Sequence, residues 1–198
     1  MGGGDKDWFP HNQFVLAPTY DLPFGKSRKF GNNMNRIMDA VIGGWTVSAI
    51  TTYYSGRPFT PGLGTVPAGS IRPNQGPGDR PNVGTADPYA GAPGGRDGFF
   101  VGGLGKAFLL PANNVFGNYP RNGLFGPQFI NVDMSLAKNF ALTEKYKFSL
   151  RGESFNVANH TNLGDPNSDL SSGSVGKITG IAPSYQMRRM QFGFRLDF

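Results

Sequence analysis

The sequence predicts an all-β fold: a segment of an antiparallel up-and-down transmembrane β-barrel, with about five strands and long extracellular loops. Three observations carry this expectation. First, the last stretch alternates. Met190, Phe192, Phe194, Leu196 and Phe198 fall on every second residue, and Arg189, Gln191, Gly193, Arg195 and Asp197 fill the gaps. A period of two gives a strand one apolar and one polar face. Second, 30 glycines and 16 prolines make the chain rich in turns, while 17 phenylalanines and 7 tyrosines supply residues suited to strands. Third, the connections between strand candidates alternate between long and short, as they do in membrane barrels.

The elements follow in order. Met1 to Pro10 is polar and glycine-rich and reads as a loop. Residues 13–22 (QFVLAPTYDL) form a first strand candidate, which Pro18 turns toward an edge or a bulge because proline cannot donate to a ladder. Asn35 to Ile42 carries Ile37, Met38 and Val41 at helical spacing behind an asparagine cap, and Gly43-Gly44 ends that short surface helix. Residues 45–54 (WTVSAITTYY) are dense in β-branched and aromatic residues and form the second strand, with Trp45 suited to a membrane interface or to a plain core. Residues 60–126 hold most of the proline and glycine and read as irregular, an extracellular loop or a linker, with Phe99 to Leu110 able to pack locally. Residues 129–138 (FINVDMSLAK) and 146–154 (YKFSLRGES) alternate again and are joined by a short turn, so they form a hairpin. Residues 156–184 are another polar loop, and 185–198 is the terminal strand.

A soluble sheet seldom ends on so apolar an edge, whereas a strand inside a closed barrel turns that face to lipid. The final residues also fit the signal read by the outer-membrane barrel-assembly machinery, carried here by Gln191, Gly193, Leu196 and Phe198. With a periplasmic C-terminus, 60–126 and 156–184 lie outside, and 139–145 and 23–44 face the periplasm. The polar strand positions Asp133, Arg151, Glu153, Arg195 and Asp197 carry both signs of charge, which suits the hydrated lumen wall of a barrel. A soluble β domain with one solvated face has the same alternation.

Composition narrows the function classes. The formal charge is +6, but the basic residues are scattered, so no nucleic-acid arm is expected. There is no cysteine, hence no disulfide framework and no thiolate metal site. The mean hydropathy is −0.33 and no run is long enough for a transmembrane helix. A barrel strand needs only about ten alternating residues, so a membrane location stays open. The first residues, Met1 to Asp7, lack the apolar core of an export signal. An outer-membrane protein must be exported, so either the sequence is a piece of a longer chain or it is not such a protein.

Several segments together resemble a known family. YDLPFGKSRKF (20–30), DAVIGGWTVSAITTYYSGRPFTP (39–61), RNGLFGPQFINVDMSLAKNF (121–140) and RGESFNVANHTNLGDPN (151–167) come in this order, followed by the terminal strand. The set is similar to the C-terminal barrel region of TonB-dependent outer-membrane receptors of the Oar-like group. The resemblance spans residues 14–198. It implies a barrel of about 22 strands around an N-terminal plug, driven by the TonB complex and importing bulky nutrients. It also implies that this chain is an incomplete barrel whose partners are outer-membrane lipid, lipopolysaccharide, the assembly machinery, and the remaining barrel and plug. TonB would be reached only through that plug. Arg57, Arg72, Arg80 and Arg96 make the large loop basic, which favours anionic ligands or lipopolysaccharide phosphates. A soluble carbohydrate-binding β module and an Oar-type structural or adhesion protein are the alternatives.

No cofactor, metal or catalytic group is expected. Gly105-Lys106 lacks the phosphate-loop spacing, with Phe100 where the first glycine belongs and Ala107 in place of the hydroxyl. His11 and His160 are far apart, and Asp165, Asn167 and Asp169 lack the glycine and glutamate of a calcium loop. No nucleophile elbow occurs. An enzyme is the least favoured class.

Overall fold

The structure is a computed structural model that describes residues 10–64, 79–112, 115–141, 146–183, 185 and 187–198. The loop over residues 1–9, Arg72, and positions 142–145 of the short turn lie outside the described residues.

In chain order the elements are β1 (Gln13–Leu16), β2 (Thr19–Asp21), α1 (Arg36–Ile42), β3 (Trp45–Tyr54), β4 (Pro58–Phe59), β5 (Asn82–Val83), β6 (Phe108–Leu109), β7 (Leu124–Phe125), β8 (Phe129–Ala141), β9 (Lys147–Phe155) and β10 (Arg189–Asp197). The main sheet runs β1-β3-β8-β9-β10, with β2 also paired to β3. Two small sheets pair β4 with β7 and β5 with β6. The fold is all-β with antiparallel pairing, as the alternation predicts, and the main sheet does not close into a barrel.

Pro18 splits the first strand candidate in two, because it has no N–H for the ladder. Its carbonyl still accepts from the Ala49 amide at 3.0 Å, so pairing to β3 survives the break. Asn35 caps α1: its side-chain oxygen accepts from the Met38 amide at 2.8 Å. The terminal strand starts later than the alternation suggests, at Arg189 rather than residue 185, and β8 runs on to Ala141. Both differences place the strand ends where cross-strand partners exist: Arg189 meets Phe155 and Ala141 meets Lys147.

The chain divides into two compact units. One comprises residues 14–53, 130–161 and 186–198 and holds most of the main sheet. The other gathers residues 1–13, 54–129 and 162–185. Within 60–126 the described residues form only two-residue strands, and the local packing expected over Phe99 to Leu110 is present. Phe100, Phe108 and Leu124 are fully buried there and pack with Leu63, Tyr119 and Leu170. The Phe108 ring lies 6.0 Å from Phe100 and 5.3 Å from Tyr119, offset geometries that add to burial. The Leu170 amide donates to the Gly62 carbonyl at 2.8 Å and ties the two long connections together. The many glycines allow backbones to close in: a Cβ on Gly56 would run into the Gly126 carbonyl. What reads as turn-rich sequence is a small folded body whose few apolar residues are spread too thinly to show a period.

Because Phe108 is the most enclosed of these rings, Phe108→Ala is expected to destabilise the loop unit by about 3–5 kcal/mol. Limited proteolysis should then cut within residues 58–126 and 162–185 while the main-sheet strands stay protected. Unchanged protection of the loops would remove this core from the account.

Candidate functional site: a two-faced wall and a loop cavity

The first feature is the wall made by β8, β9 and β10. The registers align Ser135, Glu153 and Gln191 in one row, and Ala137, Arg151 and Gly193 in the next. Asn139, Ser149 and Arg195 follow, and Lys147 stands opposite Asp197. Residues directly opposite in an antiparallel pair share a face, so these rows are one polar surface. The alternate rows are Met134, Ser154 and Met190; Leu136, Gly152 and Phe192; Lys138, Leu150 and Phe194; and Phe140, Phe148 and Leu196. Lys138 and Ser154 aside, they form an apolar surface.

The polar surface is ordered by charge pairing. Arg151 Nη2 lies 2.7 Å from Glu153 Oε1, Gln191 donates to the same Glu153 carboxylate, and Arg195 donates to Asp197 at 2.8 Å. Ala137 and Gly193 flank Arg151 on either side, which leaves room for its long side chain across the sheet. Asp133 has a different role. Its Oδ1 accepts from the Asn156 amide and the Asn131 side chain, both at 2.8 Å, and so fixes the bend after β9. Asn156 is buried with φ of 49°, and its side chain bonds both the amide and the carbonyl of His160. That Asn156 closes this bend was not foreseen from the sequence; the tolerance of asparagine for left-handed backbone is the signal that points to it.

The apolar surface is bare. Phe192 and Phe194 are 72% and 70% exposed, with Met190, Leu196 and Phe198 also open. Phe192 packs over Gly152, and Phe148 stacks between Phe140 at 5.8 Å and Phe194 at 6.3 Å. In water each such side chain forgoes about 1.5–3 kcal/mol of burial, so this face belongs in hydrocarbon. All four residues of the assembly signal lie at this end of the chain: Gln191 and Gly193 on the polar rows, Leu196 on an apolar row, and Phe198 exposed just past the last paired residue.

The second feature lies within the loop unit. A cavity of about 300 Å³ is lined by Tyr54, Arg57, Phe129, Leu163, Asp165 and Pro183, among others. Arg57 Nη1 and Asp165 Oδ2 stand 4.0 Å apart, and both side chains remain about half exposed. Such a pair is weak and leaves each partner accessible. The other loop arginines do not gather there. Arg80 donates to the Tyr119 carbonyl at 2.7 Å inside the unit, and Arg96 accepts through its backbone from Ile178. Asn167 and Asp169 build turns: Asp169 accepts from Ser171, and Asn167 donates to Ser172 and Ser174. Among the described residues no cluster of acidic and histidine side chains is arranged to hold a metal.

Tyr89 clasps the unit from the side. Its hydroxyl accepts from the Phe125 amide at 2.7 Å and donates to the Phe125 carbonyl at 2.9 Å. Burial raises its pKa above 10.0, the bond to Phe125 opposes this, and the Asp87 carboxylate adds to the rise. Tyr119 is raised too, chiefly by burial, with Tyr89 and Asp87 contributing.

An open antiparallel sheet with one charged and one bare apolar face defines a β-barrel wall of the outer-membrane class. The family model described as outer membrane beta barrel domain matches residues 3–191, and the chain belongs to that family. Its location is the bacterial outer membrane. Comparison with curated proteins and with solved structures gives no match. The soluble-module alternative is thereby corrected: a water-soluble sheet would have its apolar rows covered.

A raised tyrosine pKa stabilises the folded loop unit up to the unfolded value near 10.0, and this contribution is lost as pH rises through the folded value. The unit is therefore expected to loosen above about pH 10, read as tyrosinate absorbance rising together with proteolytic cutting of the loops. Tyr89→Phe should weaken the unit by about 1–2 kcal/mol through loss of both backbone bonds. It should also blunt the alkaline transition. An unaltered transition in that variant would assign it to other tyrosines.

Proposed function

We propose that this barrel domain supplies wall strands and ligand-facing loops of a TonB-dependent receptor of the Oar-like group, working in nutrient uptake. The observation that carries the reading is the folded loop unit: its first long connection has a packed core, and Tyr54, Arg57, Phe129, Leu163 and Asp165 of the same unit line a shaped cavity. The ordered family-like segments support it, as does the polar wall with its paired charges. In this reading β1 and β10 are edge strands that pair with further strands of the receptor, and TonB acts through the plug. Arg57 at the cavity takes an anionic group of the ligand, exchanging its weak partner Asp165 for it.

The test is genetic. Deleting the coding segment in the bacterium that carries it is expected to abolish growth on at least one bulky nutrient, and loss of TonB should have the same effect. Arg57→Gln should reduce uptake of that nutrient if it is anionic. Normal growth on every nutrient tried, together with altered surface adhesion, would sink the transport reading. It would favour the Oar-type structural role, for which a self-supporting loop body is equally apt.

The assembly machinery is the second partner proposed. Phe198 is 87% exposed at the end of the apolar rows, free to be read as a terminal aromatic. Removing Phe198 from the exported protein is expected to lower its outer-membrane level several-fold, measured by membrane fractionation. Wild-type levels would argue that the machinery does not use this residue.

A further inference from the structure

The helix α1 is built inside out. In a soluble surface helix the apolar stripe faces the protein and the polar side faces water. Here Asp39 is the inward residue. Its Oδ1 accepts from the Lys26 amide at 2.6 Å, and its carbonyl accepts from the Gly43 amide at 2.9 Å and from Lys138 Nζ at 3.3 Å. A Cβ on Gly25 or Gly43 would collide with the Asp39 carboxylate, so the chain is pressed against that side. The opposite side carries Ile37, Met38, Val41 and Ile42, all exposed, with Ile37 at 77% and Val41 at 65%. At 3.6 residues per turn these four form one stripe. No residue of α1 is buried.

The helix is fastened to one of the apolar rows of the sheet. Lys138, from an apolar row of β8, reaches the carbonyls of Gly43 and Asp39 and lies over the rings of Trp45 and Phe140 at 5.4 and 4.9 Å. Trp45 in turn donates from Nε1 to the Val41 carbonyl at 2.8 Å. One lysine and one tryptophan thus fasten the helix to the turn end of the sheet, where β2 ends, β3 begins and β8 meets β9. The segment leading into it is basic. Lys26, Arg28, Lys29 and Arg36 outnumber Asp21 and Asp39, and Lys29 lies 5.5 Å from the Phe30 ring. Phe30 and Phe24 are themselves exposed and 5.7 Å apart.

We propose that α1 and the segment before it are an in-plane membrane anchor. The stripe of Ile37, Met38, Val41 and Ile42 lies in the glycerophospholipid leaflet at the short-turn end of the sheet, and Lys26, Arg28, Lys29 and Arg36 meet its anionic headgroups. Continuity with the lipid-facing rows and the excess of positive charge both select this occupant over a water-exposed surface. The anchor is independent of what the loops bind.

The absence of cysteine allows a direct test. Single variants Ile37→Cys, Val41→Cys and Ala40→Cys of the full chain are spin-labelled and reconstituted in vesicles, with strand content checked by circular dichroism. The vesicles are phosphatidylcholine alone or an equal mixture with phosphatidylglycerol. Labels at 37 and 41 should collide with oxygen and lose collisions with a water-soluble nickel chelate. The label at 40, an exposed position off the stripe, should keep its nickel collisions. The contrast should be larger with phosphatidylglycerol, and Lys26→Gln with Lys29→Gln should remove that increment. If one cysteine variant fails to fold, the other reads the same stripe. Equal nickel access at all positions overturns the anchor. Spectral broadening that grows with protein-to-lipid ratio overturns it in favour of a second copy of the chain. Equal contrast in both lipids overturns the headgroup contact.

Discussion

The register shared by β8, β9 and β10 is the constraint on which the rest of the structure depends. Hydrocarbon offers no hydrogen-bond partners, so a strand there must satisfy its amides on its neighbours. Continuous pairing from Arg189–Phe155 to Asp197–Lys147, and from Met134–Ser154 to Ala141–Lys147, does this for the two strand interfaces. It does more than satisfy the backbone. With a period of two, a slip by one residue would send Phe192 and Phe194 to the charged side and Arg151 and Glu153 to the lipid side. Each charge moved to the bilayer centre costs about 2–4 kcal/mol, so the correct register is selected by side chains as strongly as by the ladder.

The strands were legible because their signal is local. Residues 45–54 and the alternations at 129–138 and 190–198 specify strands before any tertiary contact is considered. The cap of α1 was equally readable in Asn35, and the break at Pro18 in the missing amide. The loop unit was not. Beyond the window Phe99 to Leu110, its core draws Leu63, Tyr119, Leu124 and Leu170 from positions with no common spacing. The cavity was half visible. Arg57 stood out as basic, but its companions were unreadable: the 4.0 Å approach of Asp165 depends on packing between residues far apart in sequence. Arg80 looked equivalent to Arg57 and instead serves the Tyr119 carbonyl.

Lys138 illustrates how one residue can contradict a pattern for a reason. Its parity puts it among Leu136, Phe140, Leu150 and Phe194, where a free ammonium would be costly. It is buried, bonded to two carbonyls and bracketed by two aromatic rings. The carbonyls it meets are those at the C-terminal end of α1, the negative end of the helix. The charge is thus matched locally, and the helix gains a fastening that its own short length cannot provide.

The loop unit is assembled from chain segments that the wall strands interrupt. Leu170 is bonded to Gly62 across more than half the chain, and Phe108 has no core until residues from both long connections arrive. Such distant contacts carry a high loop-closure cost and form late. The loop unit is therefore a late step in folding. Its core is complete only when Leu170 from the second long connection joins Leu63, Phe100, Phe108, Tyr119 and Leu124 from the first.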